Sequence, residues 1–173
     1  MNLLGDWKEM LQQKVNISAE ESIGIVSNTE FGPISFSGLD ILNGIDFKKC
    51  SFIGTLFENS KLCKATFSRA NLKGVFFHNA DLYGADFSKA VIHGGAWTHC
   101  LNHTNFSGAC INKIHVGDEE LDSLCFSGAT VKESLFTKCR FTFLQINQNA
   151  EFHSVDFSEA TISGEVEHSS LLS

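Results

Sequence analysis

The chain has 173 residues, the length of a single domain that is large enough to bury a continuous core. Hydrophobic residues make up 43% and charged residues 19%, a globular balance that excludes wholesale disorder. The formal net charge is −7, which disfavours direct binding to DNA or RNA. No stretch reaches the roughly 18–20 apolar residues of a membrane span, and the first residues lack the basic region of a signal peptide. We therefore expect a cytoplasmic protein without membrane contact.

Residues 1–28 are predicted to form an N-terminal helical cap. The apolar residues of a helix drawn through residues 2–14 share one face: Leu3, Leu4, Trp7, Met10 and Leu11. Ser18 and Glu21 have the spacing of a capping box, which indicates a short second helical turn. An apolar helix face at this point would cover the open end of whatever follows.

A period of five residues dominates the chain from about residue 29 to residue 164. It is clearest in ANLKGVFFHNADLYGADFSKA (residues 70–90), where a small residue recurs every five positions and a large apolar residue follows two places later. Helices repeat near 3.6 residues and strands at 2, so neither alone has this period. Of the 16 phenylalanines, 14 occupy the large position, and only Phe76 and Phe143 lie elsewhere.

Two inward and three outward side chains per unit predict a coil with a corner every five residues. Four sides close one turn of about 20 residues, and turns must stack because no unit buries its apolar side alone. The register slips by about one residue at 42–44, between 97 and 106, and around 147–149. Two stacked columns are then expected, one of Phe47, Phe67, Phe87, Phe106, Phe126 and Ile146, the other of Phe36, Phe57, Phe77, Trp97, Val116, Phe136 and Phe157.

The units ATFSR, ANLKG, VFFHN, ADLYG and ADFSK resemble the pentapeptide repeat family, whose pattern is A-(D/N)-L-x-x with Phe often replacing Leu. The resemblance covers residues 29–164. It implies an all-β solenoid, a right-handed quadrilateral β-helix of about six to seven coils with a short N-terminal capping helix. Residues 165–173 are then a C-terminal tail that offers little apolar cover, so we expect a homodimer through the C-terminal end of the β-helix.

His99, Cys100 and His103 are the strongest candidates for chemistry. Both residue types bind Zn²⁺, but a spacing of four brings side chains together on a helix, and no second Cys/His pair has zinc spacing. We interpret them as polar corner residues at a register slip and expect no metal. None of the outward-facing cysteines has a local base, and no phosphate-cradling glycine loop is present. We therefore expect no catalytic residue, no cofactor and no enzymatic activity.

The charge is unevenly distributed along the chain. Residues 41–112 carry four acidic and seven basic residues, whereas residues 113–173 carry ten acidic and four basic ones. This pattern predicts an acidic, protein-binding surface made of Asp118, Glu119, Glu120, Asp122, Glu133, Glu151, Asp156 and Glu159. The alternative is a solvated acidic surface that only keeps the rod in solution.

Residues 85–109, ADFSKAVIHGGAWTHCLNHTNFSGA, resemble a run in the Qnr quinolone-resistance proteins. With MfpA, these form a subgroup of acidic rods that are similar to DNA in size and charge and bind DNA gyrase or topoisomerase IV. The resemblance implies a DNA mimic whose partner is a type II topoisomerase. The slips leave no room for the projecting loops of many Qnr proteins, so no binding residue is carried over. The alternative is a general interaction scaffold or bacterial effector with an unrelated protein partner.

Overall fold

The computed structural model describes residues 27–40, 42–146 and 149–168. The helix predicted over residues 2–14 and the end of the predicted tail lie outside this part of the chain. The described residues form an all-β parallel solenoid of about six turns and contain no helix, and so none that could cross a membrane. The predicted solenoid is thus confirmed.

The described part of the chain contains thirteen short strands. They are β1 (Glu30–Phe31), β2 (Ser51–Ile53), β3 (Asn71–Phe76), β4 (Val91–Ala96), β5 (Cys110–Asn112), β6 (His115–Gly117), β7 (Glu120–Leu121), β8 (Leu124–Cys125), β9 (Thr130–Lys132), β10 (Leu135–Thr137), β11 (Arg140–Ile146), β12 (Glu151–His153) and β13 (Thr161–His168). They pair in parallel, because each coil runs in the same direction as the one before it.

The parallel ladders divide the coil into four faces, which we name A to D in chain order. Face A follows the strand order β1-β2-β3-β4-β5-β9-β12, and face B contains β6 and β10. Face C contains β7 and the start of β11 and of β13, and face D contains β8 and the end of β11. Isolated bridges such as Asp46↔Thr66 and Lys61↔Asp81 complete the ladders. Successive coils therefore lie about 4.8 Å apart.

The core consists of the large residues predicted to point inward. The two predicted columns are confirmed: on face D, Phe67 stacks on Phe87 at 4.7 Å with parallel rings (1°), and on face B, Phe57 stacks on Phe77 at 5.1 Å. Rings of neighbouring columns meet edge to face, as between Phe67 and Phe77 at 89°. Both arrangements are favourable for aromatic quadrupoles, so the phenylalanine excess is explained by packing.

The residue two places before each large one also points inward and is usually small, although Val75, Ile114 and Leu124 are buried at this position too. Alanine is the commonest residue at these positions, and Thr55, Ser60 and Ser134 fill three of the others. The hydroxyls of these residues are satisfied internally: Ser60 Oγ donates to Phe57 O at 2.6 Å, and Thr55 Oγ1 donates to Gly32 O at 3.1 Å. A polar side chain at this position is thus tolerated only when the coil supplies a partner.

At two of the three register slips, an asparagine side chain forms a hydrogen bond to the backbone of the next coil. Leu42 and Leu101 are buried at the inward position of face C, and each is followed by an asparagine. Asn43 Oδ1 accepts a hydrogen bond from Cys63 N at 2.9 Å, and Asn102 Oδ1 accepts one from Asp122 N at 3.1 Å. The side-chain amide replaces a backbone carbonyl where the register is irregular.

Candidate protein-interaction surface

The predicted acidic residues do not share one face of the coil. Glu151 projects from face A, Asp156 from face B, Glu120 and Asp122 from face C, Glu133 from the corner between A and B, and Asp118 and Glu159 from the corner between B and C. This dispersion follows from the repeat, since neighbours in sequence turn a corner every five residues. The eight residues therefore do not form one acidic face.

Several of these carboxylates are paired with a cationic side chain or a histidine. Glu120 forms an ion pair with Arg140 of the next coil on face C. Glu133 Oε2 lies 3.4 Å from Lys113 Nζ. Glu151 Oε2 lies 3.2 Å from His153 Nε2. Such exposed pairs contribute little stability, but they reduce the negative potential that a partner would meet.

Four outward acids have no Lys or Arg partner within the described residues: Asp118 and Glu159 at the corner between faces B and C, Asp122 on face C and Asp156 on face B. We name these four the acidic edge; Asp122 also pairs with His103. Asp122 Oδ1 accepts a hydrogen bond from Thr142 Oγ1 at 2.7 Å, and this bond is the main reason that the pKa of Asp122 is lowered. The bond from the Ser158 hydroxyl likewise lowers the pKa of Asp156. Both carboxylates are therefore charged at neutral pH.

Glu119 is not on the surface, which corrects its place in the predicted acidic surface. It is 8% exposed and occupies the inward position two places before Leu121, where the coil usually has a small residue. Its carboxylate accepts a hydrogen bond from His99 N and lies 3.2 Å from His99 Nδ1. Burial raises the pKa of Glu119, and the contacts with His99 oppose that shift. The five-residue period alone predicts that residue 119 points inward, so the burial of Glu119 could have been predicted from the sequence.

The histidines at 99 and 103 do not converge on one point. His99 pairs with Glu119, whereas His103 Nε2 lies 3.1 Å from Asp122 Oδ2, and the Cys100 side chain between them is buried. Burial raises the pKa of the Cys100 thiol well above its usual range. Within residues 27–40, 42–146 and 149–168, no group of three or more His, Cys, Asp or Glu side chains could hold a metal ion.

The family model described as pentapeptide repeats (8 copies) matches residues 41–79 and 50–88. The chain is a pentapeptide repeat protein. No match was found among curated proteins.

Solved structures of other pentapeptide repeat proteins are similar to this one. A pentapeptide repeat protein of the Arabidopsis thaliana thylakoid lumen is 28% identical, with 66% of this chain and 69% of that chain covered and a TM-score of 0.38. QnrB1, a plasmid-mediated fluoroquinolone resistance protein, is 19% identical, with 80% and 72% covered and a TM-score of 0.34. HetL of the cyanobacterium Nostoc, involved in the regulation of heterocyst differentiation, is 13% identical, with 88% and 93% covered and a TM-score of 0.24.

An apolar cavity lies among the side chains of the last described coils. The cavity measures about 320 Å³ and is lined by Phe126, Phe141, Leu144, Ile146, Phe152, Phe157, Ala160 and Ile162. Phe157 is 41% and Ile162 54% exposed. Residues 169–173 lie outside the described part of the chain, and the homodimer through the C-terminal end stays a prediction.

The substitution Glu119→Gln is expected to raise the urea midpoint of unfolding at pH 7–8. Because the folded-state pKa is raised, the folded protein binds a proton more readily than the unfolded chain, so wild-type stability falls as pH rises through that pKa. Glutamine keeps an acceptor for His99 N and removes the buried charge. The gain should shrink as the pH falls below the usual pKa of glutamate. Urea unfolding followed by circular dichroism from pH 4 to pH 8 measures it.

The matched control is Glu120→Gln at the adjacent exposed position, for which we expect no such gain at pH 7–8 because Glu120 is outside the coil and pairs with Arg140. A lower midpoint for Glu119→Gln at pH 7 would show that the contact with His99 outweighs the cost of burial.

Proposed function

We propose that this pentapeptide repeat protein acts by binding another protein through its outer surface and does not catalyse a reaction. The observation that carries the proposal is that inward residues of the coil form the core, whereas outward residues are available to a partner. The inward residues are committed to packing, and the buried thiols are poor nucleophiles, since burial raises the pKa of Cys139 to about 11. The charged side chains that a partner could meet lie on the rigid faces and corners outside.

We further propose that the partner is a type II topoisomerase, DNA gyrase or topoisomerase IV, which the protein engages as a DNA mimic. The resemblance of residues 85–109 to Qnr proteins and the net charge of −7 support this assignment. The acidic edge is the proposed contact, because its four carboxylates face outward without a Lys or Arg partner in the described part of the chain. A basic groove that binds DNA would be attracted to them.

A gyrase supercoiling assay with and without a quinolone tests this proposal. We expect the wild-type protein at micromolar concentration to inhibit supercoiling or to protect the enzyme from the drug. The combined variant Asp118→Asn, Asp122→Asn, Asp156→Asn and Glu159→Gln should shift the effective concentration upward by about tenfold or more, equivalent to ~1.4 kcal/mol. The control variant neutralises four acids elsewhere, by Glu30→Gln, Asp40→Asn, Asp46→Asn and Glu58→Gln, and should retain the effect.

The outcome that would reject the topoisomerase is neither inhibition nor protection by folded wild-type protein. If both four-fold variants lost the effect on gyrase equally, the acidic edge would be rejected as the contact, and net charge alone would explain the effect.

A general protein-interaction scaffold, in a cell or as a delivered effector, is the second candidate. One observation favours it over DNA mimicry, namely that basic side chains lie between the acidic side chains on the surface. Lys138 lies between Asp118 and Glu159 along the corner, and Arg140 neutralises Glu120. DNA presents an unbroken row of negative charge, whereas an alternating pattern fits a partner with charges of both signs. An affinity for a non-topoisomerase protein that depends on Lys138 as well as on the acidic edge would support this function.

A further inference from the structure

A row of cations runs along the corner between faces D and A. Lys49, Arg69 and Lys89 are each the second residue after an inward phenylalanine of face D, so they follow one another on successive coils. The backbone confirms the register, since Lys49 N donates to Ser68 O at 3.0 Å and Arg69 N donates to Ser88 O at 2.9 Å. All three side chains are exposed. We name this row the basic edge.

Among the described residues, the basic edge forms no ion pair with an acidic side chain, since none of the ion pairs includes Lys49, Arg69 or Lys89. The carboxylates of the neighbouring face D accept backbone hydrogen bonds, Asp46 from Lys48 N at 2.8 Å and Asp86 from Ser88 N at 2.9 Å. Like charges stacked on adjacent strands repel one another. An anionic partner would relieve that repulsion.

The spacing of the row matches one kind of anionic partner. Successive coils lie about 4.8 Å apart, so the row from Lys49 to Lys89 spans about 10 Å. Acidic residues at positions i, i+4 and i+7 of an α-helix each lie about 5–6 Å from the next one, and the set spans about 10.5 Å along the axis. An acidic helix can therefore place one carboxylate against each cation.

The corner continues beyond Lys89 without another charged side chain at its next two positions. The next positions along it are Gly108 and Gly128, which carry no side chain. The Lys89 Cγ atom lies 3.4 Å from the place that a Cβ on Gly108 would occupy, so this lysine leans along the corner. Beside the row, Ser88 Oγ donates to Ser68 Oγ at 3.1 Å, which gives the edge a polar flank.

We propose that the basic edge binds an acidic helix of a partner protein, with Asp or Glu at positions i, i+4 and i+7. This surface is distinct from the acidic edge, and the proposal does not depend on a topoisomerase partner. The net charge of −7 favours a helix over nucleic acid, because a duplex would bring many more phosphates against the acidic remainder of the molecule.

Fluorescence anisotropy with a synthetic helix tests the proposal. The probe is a labelled Ala/Gln peptide of about 16 residues, long enough to be partly helical, with Glu at i, i+4 and i+7. At about 50 mM salt, the triple variant Lys49→Gln, Arg69→Gln and Lys89→Gln should bind it about tenfold or more weakly than wild type, equivalent to ~1.4 kcal/mol. Added salt should weaken wild-type binding, since the contacts are exposed and screened.

The matched control removes the same charge from corners with the same backbone. Lys64, Lys113 and Lys138 have φ values of 58°, 58° and 56°, against 59°, 60° and 59° for Lys49, Arg69 and Lys89, but they lie on three different corners. The triple variant Lys64→Gln, Lys113→Gln and Lys138→Gln should bind the peptide within about twofold of wild type. The four-fold acidic-edge variant should not weaken peptide binding, which separates this test from the gyrase assay.

Three results would overturn the proposal. The first is no binding of the peptide by wild-type protein. The second is an equal loss in both lysine-containing triple variants, which would reduce the effect to net charge. The third is tighter binding of a short DNA duplex than of the peptide, abolished by the basic-edge variant, which would assign the edge to nucleic acid.

Discussion

Phe67→Ala is expected to lower the free energy of unfolding by about 3–5 kcal/mol. Phe67 is fully buried in the face D column, stacks on Phe87 at 4.7 Å and packs against the tilted ring of Phe47 at 5.2 Å. Its ring also meets Phe57 and Phe77 edge to face. The cavity cannot collapse, because each coil is held at strand spacing by its ladder hydrogen bonds. Urea unfolding monitored by circular dichroism measures the loss.

The same substitution at Phe76 is the matched control. Phe76 is the last residue of strand β3 and points outward directly before the inward Phe77 of face B, and it is 39% exposed. We expect Phe76→Ala to cost less than about 1 kcal/mol. The two variants delete the same atoms, so the difference between them isolates the inward column. Equal losses would contradict the assignment of the aromatic columns as the main source of stability, which for a domain of this size is only about 5–15 kcal/mol in total.

The contrast between Phe67 and Phe76 also shows why so much of the fold could be predicted. A five-residue period gives each position a fixed direction, so the inward columns, the small positions and the corners follow from counting. The columns hold even across the slip before Phe106, where the coil is one residue shorter: Asn105 binds Asp86 across 19 residues, whereas Ser88 binds Ser68 across 20. The five-residue period does not predict the hydrogen bond that stabilises a slip. The Asn102 amide oxygen accepts this bond from Asp122 N, which belongs to the next coil and is distant in sequence.

The surface was harder to predict, for a geometric reason. The run from Asp118 to Asp122 looks like one acidic patch in sequence, yet it places Asp118 at a corner, Glu119 inside and Glu120 beside Arg140. Charges that do line up are about 20 residues apart, as in the basic edge, and no window along the sequence brings them together. Pairing between coils then decides which charges remain available to a partner.

Gly95→Ala is expected to destabilise the fold by about 3 kcal/mol or more, since it combines a backbone clash with a strained conformation. Gly95 lies in β4, pairs with Val75 of the coil below and has a φ of +101°. A Cβ there would lie 2.0 Å from Val75 O and 3.0 Å from Val75 C. Both atoms belong to the backbone of the adjacent strand, so the clash can be relieved only by separating two coils next to the contact between the Trp97 and Phe77 rings, whose centroids lie 4.5 Å apart.

The adjacent Gly94 provides the matched control for that prediction. Gly94 also has a positive φ, +68°, but the nearest atom to a Cβ there is Lys113 O at 4.0 Å. Gly94→Ala should therefore cost only the left-handed conformation of a non-glycine residue, about 1 kcal/mol. Sixteen non-glycine residues already adopt positive φ in the described coils, Lys113 and Lys89 among them, so the corner tolerates a side chain. Urea midpoints of the two variants compare directly, and a loss at Gly94 as large as that at Gly95 would contradict the close approach of the Val75 backbone as the cause.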